Sequence, residues 1–232
     1  MSTQNEADEQ LCKLDNIITF NGQGCSGKTT QVVKILAKPD KKKYECIHSY
    51  ELRSDFEKKF YNQLGRKETC ITYPEGHCQT LHEVEVLGIP SIAWLTAYFH
   101  LRVKPLLLGG SIVVFDHYIA DYYADMLACA NIEDFRSLVR EYLAIPDFDQ
   151  GTHFYLDIDY EAYKCRWRKR EEKKHPKNPE KRRKPPVTPP VFEKRRERYK
   201  KLCELKLLKC INATVCEDEV AKTVQKSLDQ LS

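Results

Sequence analysis

Residues 22–29 read GQGCSGKT, which matches the spacing G-x-x-x-x-G-K-[ST] without a gap. Glycines at such positions let backbone N–H groups turn inward around phosphate oxygens, and a helix that follows presents its positive end to the same charge. In this pattern Lys28 reaches the β- and γ-phosphates and the Thr29 hydroxyl ligates Mg²⁺. The candidate phosphate-binding set is therefore Gly22, Gln23, Gly24, Cys25, Ser26, Gly27, Lys28, Thr29 and Thr30. A second signal lies far along the chain, where the apolar run IVVF at 112–115 ends in Asp116. A buried strand that ends in aspartate is the usual partner of such a loop, because its carboxylate can approach the metal directly or through water. Thr29 and Asp116 are thus the candidate metal ligands.

Those residues need a strand before the loop, a helix after it and a second strand to bring Asp116 alongside. IITF at 17–20 has the continuous apolar character of a buried parallel strand. From Lys28 the sequence predicts a helix with Val32, Val33 and either Ile35 or Leu36 on its inner face, ended by Pro39 and Asp40. Further strands are expected at 44–48, 112–115, 153–159 and 210–214. Helices are expected at 55–64, 91–108 with Pro105 bending or ending it, 119–130, 132–143, 161–174, 192–207 and 217–231. HPKNPEKRRKPPVTPP at 175–190 holds too many prolines for a regular helix and reads as a mobile loop. Alternating strands and helices predict one α/β domain over 1–232, its parallel sheet covered by helices on both faces.

Composition narrows the class. A chain of 232 residues with 41% hydrophobic and 31% charged content suits a single soluble domain. No apolar run approaches the ~18 residues that would span a bilayer. The polar, acidic start MSTQNEADEQ does not have the form of a signal peptide. A cytoplasmic protein with no membrane partner is the expectation. The ten cysteines are scattered without a C-x-x-C pair and read as reduced thiols. Cys70, His77, Cys78 and His82 lie near one another but lack the paired spacing of a zinc module, so they read as ordinary loop and helix residues. The net charge of +4 hides an asymmetry: residues 164–201 carry 18 Lys and Arg against 5 Asp and Glu, while the remainder is acidic. Such a segment suits a phosphate-rich ligand.

The order of these motifs resembles the thymidylate kinases, within the P-loop nucleoside monophosphate kinases. The resemblance runs from IITFNGQGCSGKTTQ through Asp116-His117-Tyr118 and YLDIDYEAYKCRWRKR to FEKRRERYKKL and CINATVCEDEV. It implies the P-loop NTPase fold, ATP with Mg²⁺, and phosphoryl transfer to a nucleoside monophosphate, dTMP + ATP to dTDP + ADP. It also implies a basic lid at about 171–191 that closes over the phosphates and excludes water. Lys28, Asp116, Arg166 and Arg170 are the catalytic residues it implies. Arg182 and Arg183 are further lid candidates for stabilising charge on the transferred group. By the same likeness Asn212, Ala213 and Thr214 would lie against adenine. Homodimers are common in the resembled family, and the apolar helix around Trp94 would supply the interface.

The departures concern the acceptor. Where the resembled family has an acidic residue in the loop, this chain has Gln23 and Gly24, and the arginine of Asp-Arg-Tyr is His117. Thr96 stands where a further arginine is expected, with His100 and Arg102 nearby as substitutes. The strand-end R-E-P motif corresponds either to Glu51 or to Tyr73-Pro74-Glu75. Glu51, His100, Arg102, His117 and Tyr118 are accordingly the candidate substrate residues. Histidine cannot reproduce the paired, charge-assisted bonds of a guanidinium to phosphate. Three readings follow: a kinase of a nucleotide, or of a nucleoside without the phosphate; a nucleotide-binding regulator on the same fold; and, ranked last, a nucleic-acid binder using the basic segment.

Overall fold

Five strands form one sheet in the order β2-β3-β1-β4-β5, and each pairing is parallel. They are Ile17–Asn21 (β1), Tyr44–Ile47 (β2), Ile112–Phe115 (β3), Thr152–Asp157 (β4) and Lys209–Asn212 (β5). The helices of the computed structural model are Lys28–Leu36 (α1), Lys104–Leu108 (α2), Tyr160–Lys174 (α3), Pro189–Glu204 (α4) and Glu217–Asp229 (α5). The structure describes residues 16–37, 43–47, 103–116, 120, 121, 124 and 151–230. The architecture is α/β. Among the described residues, no helix is long and apolar enough to cross a membrane.

Every residue of β1 is buried, which requires cover on both faces of the sheet and suits its mostly apolar sequence. Successive strand side chains point to opposite faces. On one face Ile18, Phe20, Val114, Phe154, Leu156 and Ile211 pack with Val32 and Ile35 of α1 and with Val220 and Val224 of α5. Burial of each large apolar side chain contributes about 1.5–3 kcal/mol before conformational entropy is counted. The opposite face is more polar. There Tyr155 stacks on Tyr199 of α4 with ring centroids 4.5 Å apart. Thr19 Oγ1 is hydrogen-bonded to His153 Nδ1 at 3.0 Å, and Asn21 Nδ2 donates to Thr19 Oγ1 at 2.8 Å.

Several sequence expectations need correction. Val33 is 58% exposed, whereas Val32 and Ile35 are buried. At 3.6 residues per turn Val33 lies about 100° round the helix from Val32, away from the sheet. Segment 175–190 holds more regular structure than its composition suggests, with a 3-10 turn at Pro179–Lys181. Pro189 and Pro190 open α4, at first-turn positions where a missing N–H costs nothing. The non-helical remainder is fastened to α3. Trp167 Nε1 donates to Arg183 O at 3.0 Å, the Arg183 N–H to Glu171 Oε2 at 3.1 Å, and Arg182 Nε to His175 O at 3.2 Å. Pro105 sits in the first turn of α2, which Gly109 and Gly110 terminate. The expected helices at 55–64 and 132–143, and most of those at 91–108 and 119–130, lie outside the described residues.

Candidate functional site

Loop 22–27 leaves the carboxyl end of β1. This is the central strand, because the chain adds β2 and β3 on one side and β4 and β5 on the other. Open parallel sheets bind ligands at such a crevice. Gly22 has φ +139°, and a Cβ there would stand 2.9 Å from Leu156 O, so the loop's entry tolerates only glycine. Gly27, at φ +102°, precedes α1 without offering a capping side chain. By contrast, Asp159 caps α3 by accepting from the Ala162 N–H at 2.7 Å. The first N–H groups of α1 therefore have no side-chain cap, at the positive end of the helix dipole.

Lys28 folds back over the loop, its Nζ donating to Gly22 O and, at 3.1 Å, to Gln23 O. Thr29 Oγ1 donates to Asp116 Oδ2 at 3.4 Å, so α1 and the end of β3 bring the two candidate metal ligands together. Asp116 is 7% exposed. The Gln23 amide turns inward and donates to Phe192 O at 2.8 Å. Ser26 is buried, and its Oγ has no hydrogen-bond partner among the described residues.

Beside the loop lies a pocket of about 340 Å³, lined by Cys25, Arg166, Ala213, Val215 and Val220 among others. Arg166 builds its wall. From α3 its guanidinium donates to Cys25 O at 3.3 Å and Ser26 O at 3.4 Å on the loop, and to Ala213 O at 2.6 Å and Val215 O at 3.5 Å after β5. Cys25 holds a left-handed φ of +62°, and these bonds help to fix it. Arg170 is exposed one turn further along α3, its guanidinium carbon 5.8 Å from the centroid of the Trp167 ring. Burial pushes the Tyr163 hydroxyl up to about 12, which keeps it neutral in the aromatic cluster with Tyr160 and Phe192.

The structure therefore brings together the loop, Lys28, Thr29, Asp116 and Arg166. Glu51, His100, Arg102, His117 and Tyr118 lie outside the described residues, as do Trp94 and the cysteine–histidine cluster. Among the described residues there is no group of three or more His, Cys, Asp or Glu that could hold a metal ion.

Two residues with roles at the site escaped the sequence reading. Asp121 is 0% exposed, accepts the Gly22 N–H at 2.6 Å and faces Lys28 Nζ at 4.0 Å. Its one sequence signal is an acidic residue three positions before Ala124 on the same buried side of a helix. Arg196 of α4 grips Asp157, at the end of β4, with two bonds of 2.6 and 3.0 Å. Those bonds hold the guanidinium well above its usual range. No protein-family model matches the chain, and no curated protein matches it.

Proposed function

We propose that the chain has the P-loop NTPase fold and is an ATP-dependent kinase of a nucleoside monophosphate, resembling the thymidylate kinases, with dTMP the favoured acceptor. The observation that carries this reading is the 3.4 Å approach of Thr29 and Asp116 beneath an uncapped helix N-terminus bearing Lys28. A hydroxyl and a mostly buried carboxylate are hard oxygen donors, which suit Mg²⁺, an ion that takes few protein ligands and keeps several waters. Thr29 and Asp116 would hold it, and when bound it neutralises charge on the phosphate oxygens. N–H groups of the loop beyond Gly22 orient the phosphates, and Lys28 leaves the loop carbonyls to hold the γ-phosphate. The pocket walled by Arg166, Ala213 and Val220 has the size and mixed polarity to receive a base. Arg166 and Arg170 supply positive charge from α3, with Arg182 and Arg183 in the lid behind them. The fastened segment 175–188 would exclude competing water.

One observation favours a variant of this reading, in which the acceptor is a nucleoside or another nucleotide, or the chain regulates rather than catalyses. Gln23, at a place where the resembled family has an acidic residue near the acceptor sugar, is 1% exposed and spends its amide on Phe192 O.

The deciding experiment measures ADP formation from Mg²⁺-ATP with a panel of nucleosides and nucleoside monophosphates, with Lys28→Ala as the blank. Turnover that depends on one acceptor and disappears in the variant supports the kinase and names its substrate. Tight ATP binding without turnover on any acceptor overturns the kinase reading in favour of the regulator.

A further inference from the structure

Asp121 itself lies outside every motif that the resemblance uses, although its partners Gly22, Lys28 and Tyr199 fall within them. Its carboxylate is wholly buried, a placement that costs several kcal/mol unless the charge is compensated. The compensation comes from three separate elements. The Gly22 N–H donates to Oδ1 from the phosphate loop, the Tyr199 hydroxyl donates to the same oxygen from α4, and the Lys28 ammonium faces Oδ2 at 4.0 Å. Gly22 is consequently held at both ends, at its N–H by Asp121 and at its carbonyl by Lys28. Tyr199 in turn is fixed by stacking on Tyr155 of β4.

We propose that Asp121 is a positioning residue: it holds the entry of the phosphate loop and the Lys28 ammonium in place, and it couples both to α4, the helix that follows the lid. The proposal rests on the reading that loop 22–27 binds a polyphosphate. Lys28 Nζ lies on Gly22 O and Gln23 O with Asp121 as its counter-charge. When a triphosphate draws the ammonium forward, Asp121 still grips the Gly22 N–H, so the loop keeps the shape that the phosphates need. A purely structural carboxylate would leave Lys28 and phosphate affinity unaltered once the fold had formed.

Asp121→Asn keeps an oxygen for the Gly22 N–H but removes the charge opposite Lys28. Tyr199→Phe keeps the ring on Tyr155 and removes only the donor. Both are made in the full chain. Folding is checked by circular dichroism. Labelling of Lys28 by an amine-acylating reagent is followed by peptide mass spectrometry, with Lys34 as internal reference, and binding of inorganic tripolyphosphate is measured by calorimetry. In folded Asp121→Asn we expect Lys28 to label at least roughly fivefold faster. Tripolyphosphate affinity should fall about tenfold. Tyr199→Phe should lose about threefold in affinity, as expected for one hydrogen bond. Unchanged labelling and affinity in folded Asp121→Asn overturn the proposal. If Asp121→Asn does not fold, unchanged affinity in Tyr199→Phe overturns it. A wild-type chain that binds no tripolyphosphate refutes the reading of the loop instead, while the labelling contrast still decides the role of Asp121.

Discussion

Arg166 spends its guanidinium on four backbone carbonyls, two on loop 22–27 and two beyond β5. The resemblance assigns it to the charge of the moving phosphoryl group, but its bonds make it first a clamp that keeps the pocket wall against the loop. Lysine carries the same charge and cannot reproduce a planar fork that bridges two segments. Arg166→Lys should therefore separate the two roles. Affinity for ATP is expected to fall about tenfold, the loss of roughly one charge-assisted hydrogen bond. Affinity for tripolyphosphate, which lacks the base, should hardly change. Equal losses for both ligands, measured by calorimetry, would instead make Arg166 a direct phosphate contact. The loop's place between strand and helix was legible in the sequence, because it follows from local spacing. The partners of Arg166 were not, since they lie as many as 141 residues away and are backbone atoms, which leave no side-chain signature. Asp121 was hidden for the same reason, its contact with Gly22 closing a separation of 99 residues.

At the scale of elements, strands and lid differ in what the sequence reveals. Strands β1 and β3 announce themselves because cover on both faces demands continuous apolar runs. The hold on segment 175–188 comes from Trp167, Glu171 and Tyr160, whose bonds to the backbone of Arg183 and Val187 follow no period. A proline count therefore misreads it as loose. Glu171 makes this fastening sensitive to acid. The Arg183 N–H, and then Lys174, hold its carboxyl below the usual range against the opposing effect of burial. A lowered folded-state value means that the stabilisation is present above the ordinary glutamate value of about 4.3 and is lost as pH falls through the folded value. Hydrogen exchange at the Arg183 N–H, corrected for its intrinsic pH dependence, should show protection at neutral pH that is lost only as pH falls below the ordinary glutamate range. Glu171→Gln should show weakened protection at every pH. Protection that is identical in the variant would mean that Trp167 and Tyr160 hold the segment without Glu171.

At the scale of the whole molecule, the candidate site is assembled from parts remote in the chain: the loop after β1, the end of β3, the middle of α3 and the connection from β5 into α5. The ion pairs of Lys34 with Glu217 and Asp218, at 3.1 and 2.7 Å, link α1 to α5. They are surface pairs, whose contribution is small because water screens them. The close approach of α5 depends more on Val220 and Val224, which share one apolar cluster with Ile18, Phe20 and Val32. A ligand in the pocket therefore touches segments that stay together only while the common core is intact, and its binding free energy should appear as global stability. At a free ligand concentration of 100 times Kd the gain is about 2.7 kcal/mol. For a chain of this length that corresponds to a rise in melting temperature of roughly 5–10 °C. Mg²⁺-ATP should produce such a rise in the wild-type chain, monitored by circular dichroism, and Lys28→Ala should lose most of it. A full rise in Lys28→Ala would mean that ATP binds elsewhere. A wild-type chain whose melting temperature stays constant to millimolar ATP would mean that loop 22–27 holds no triphosphate.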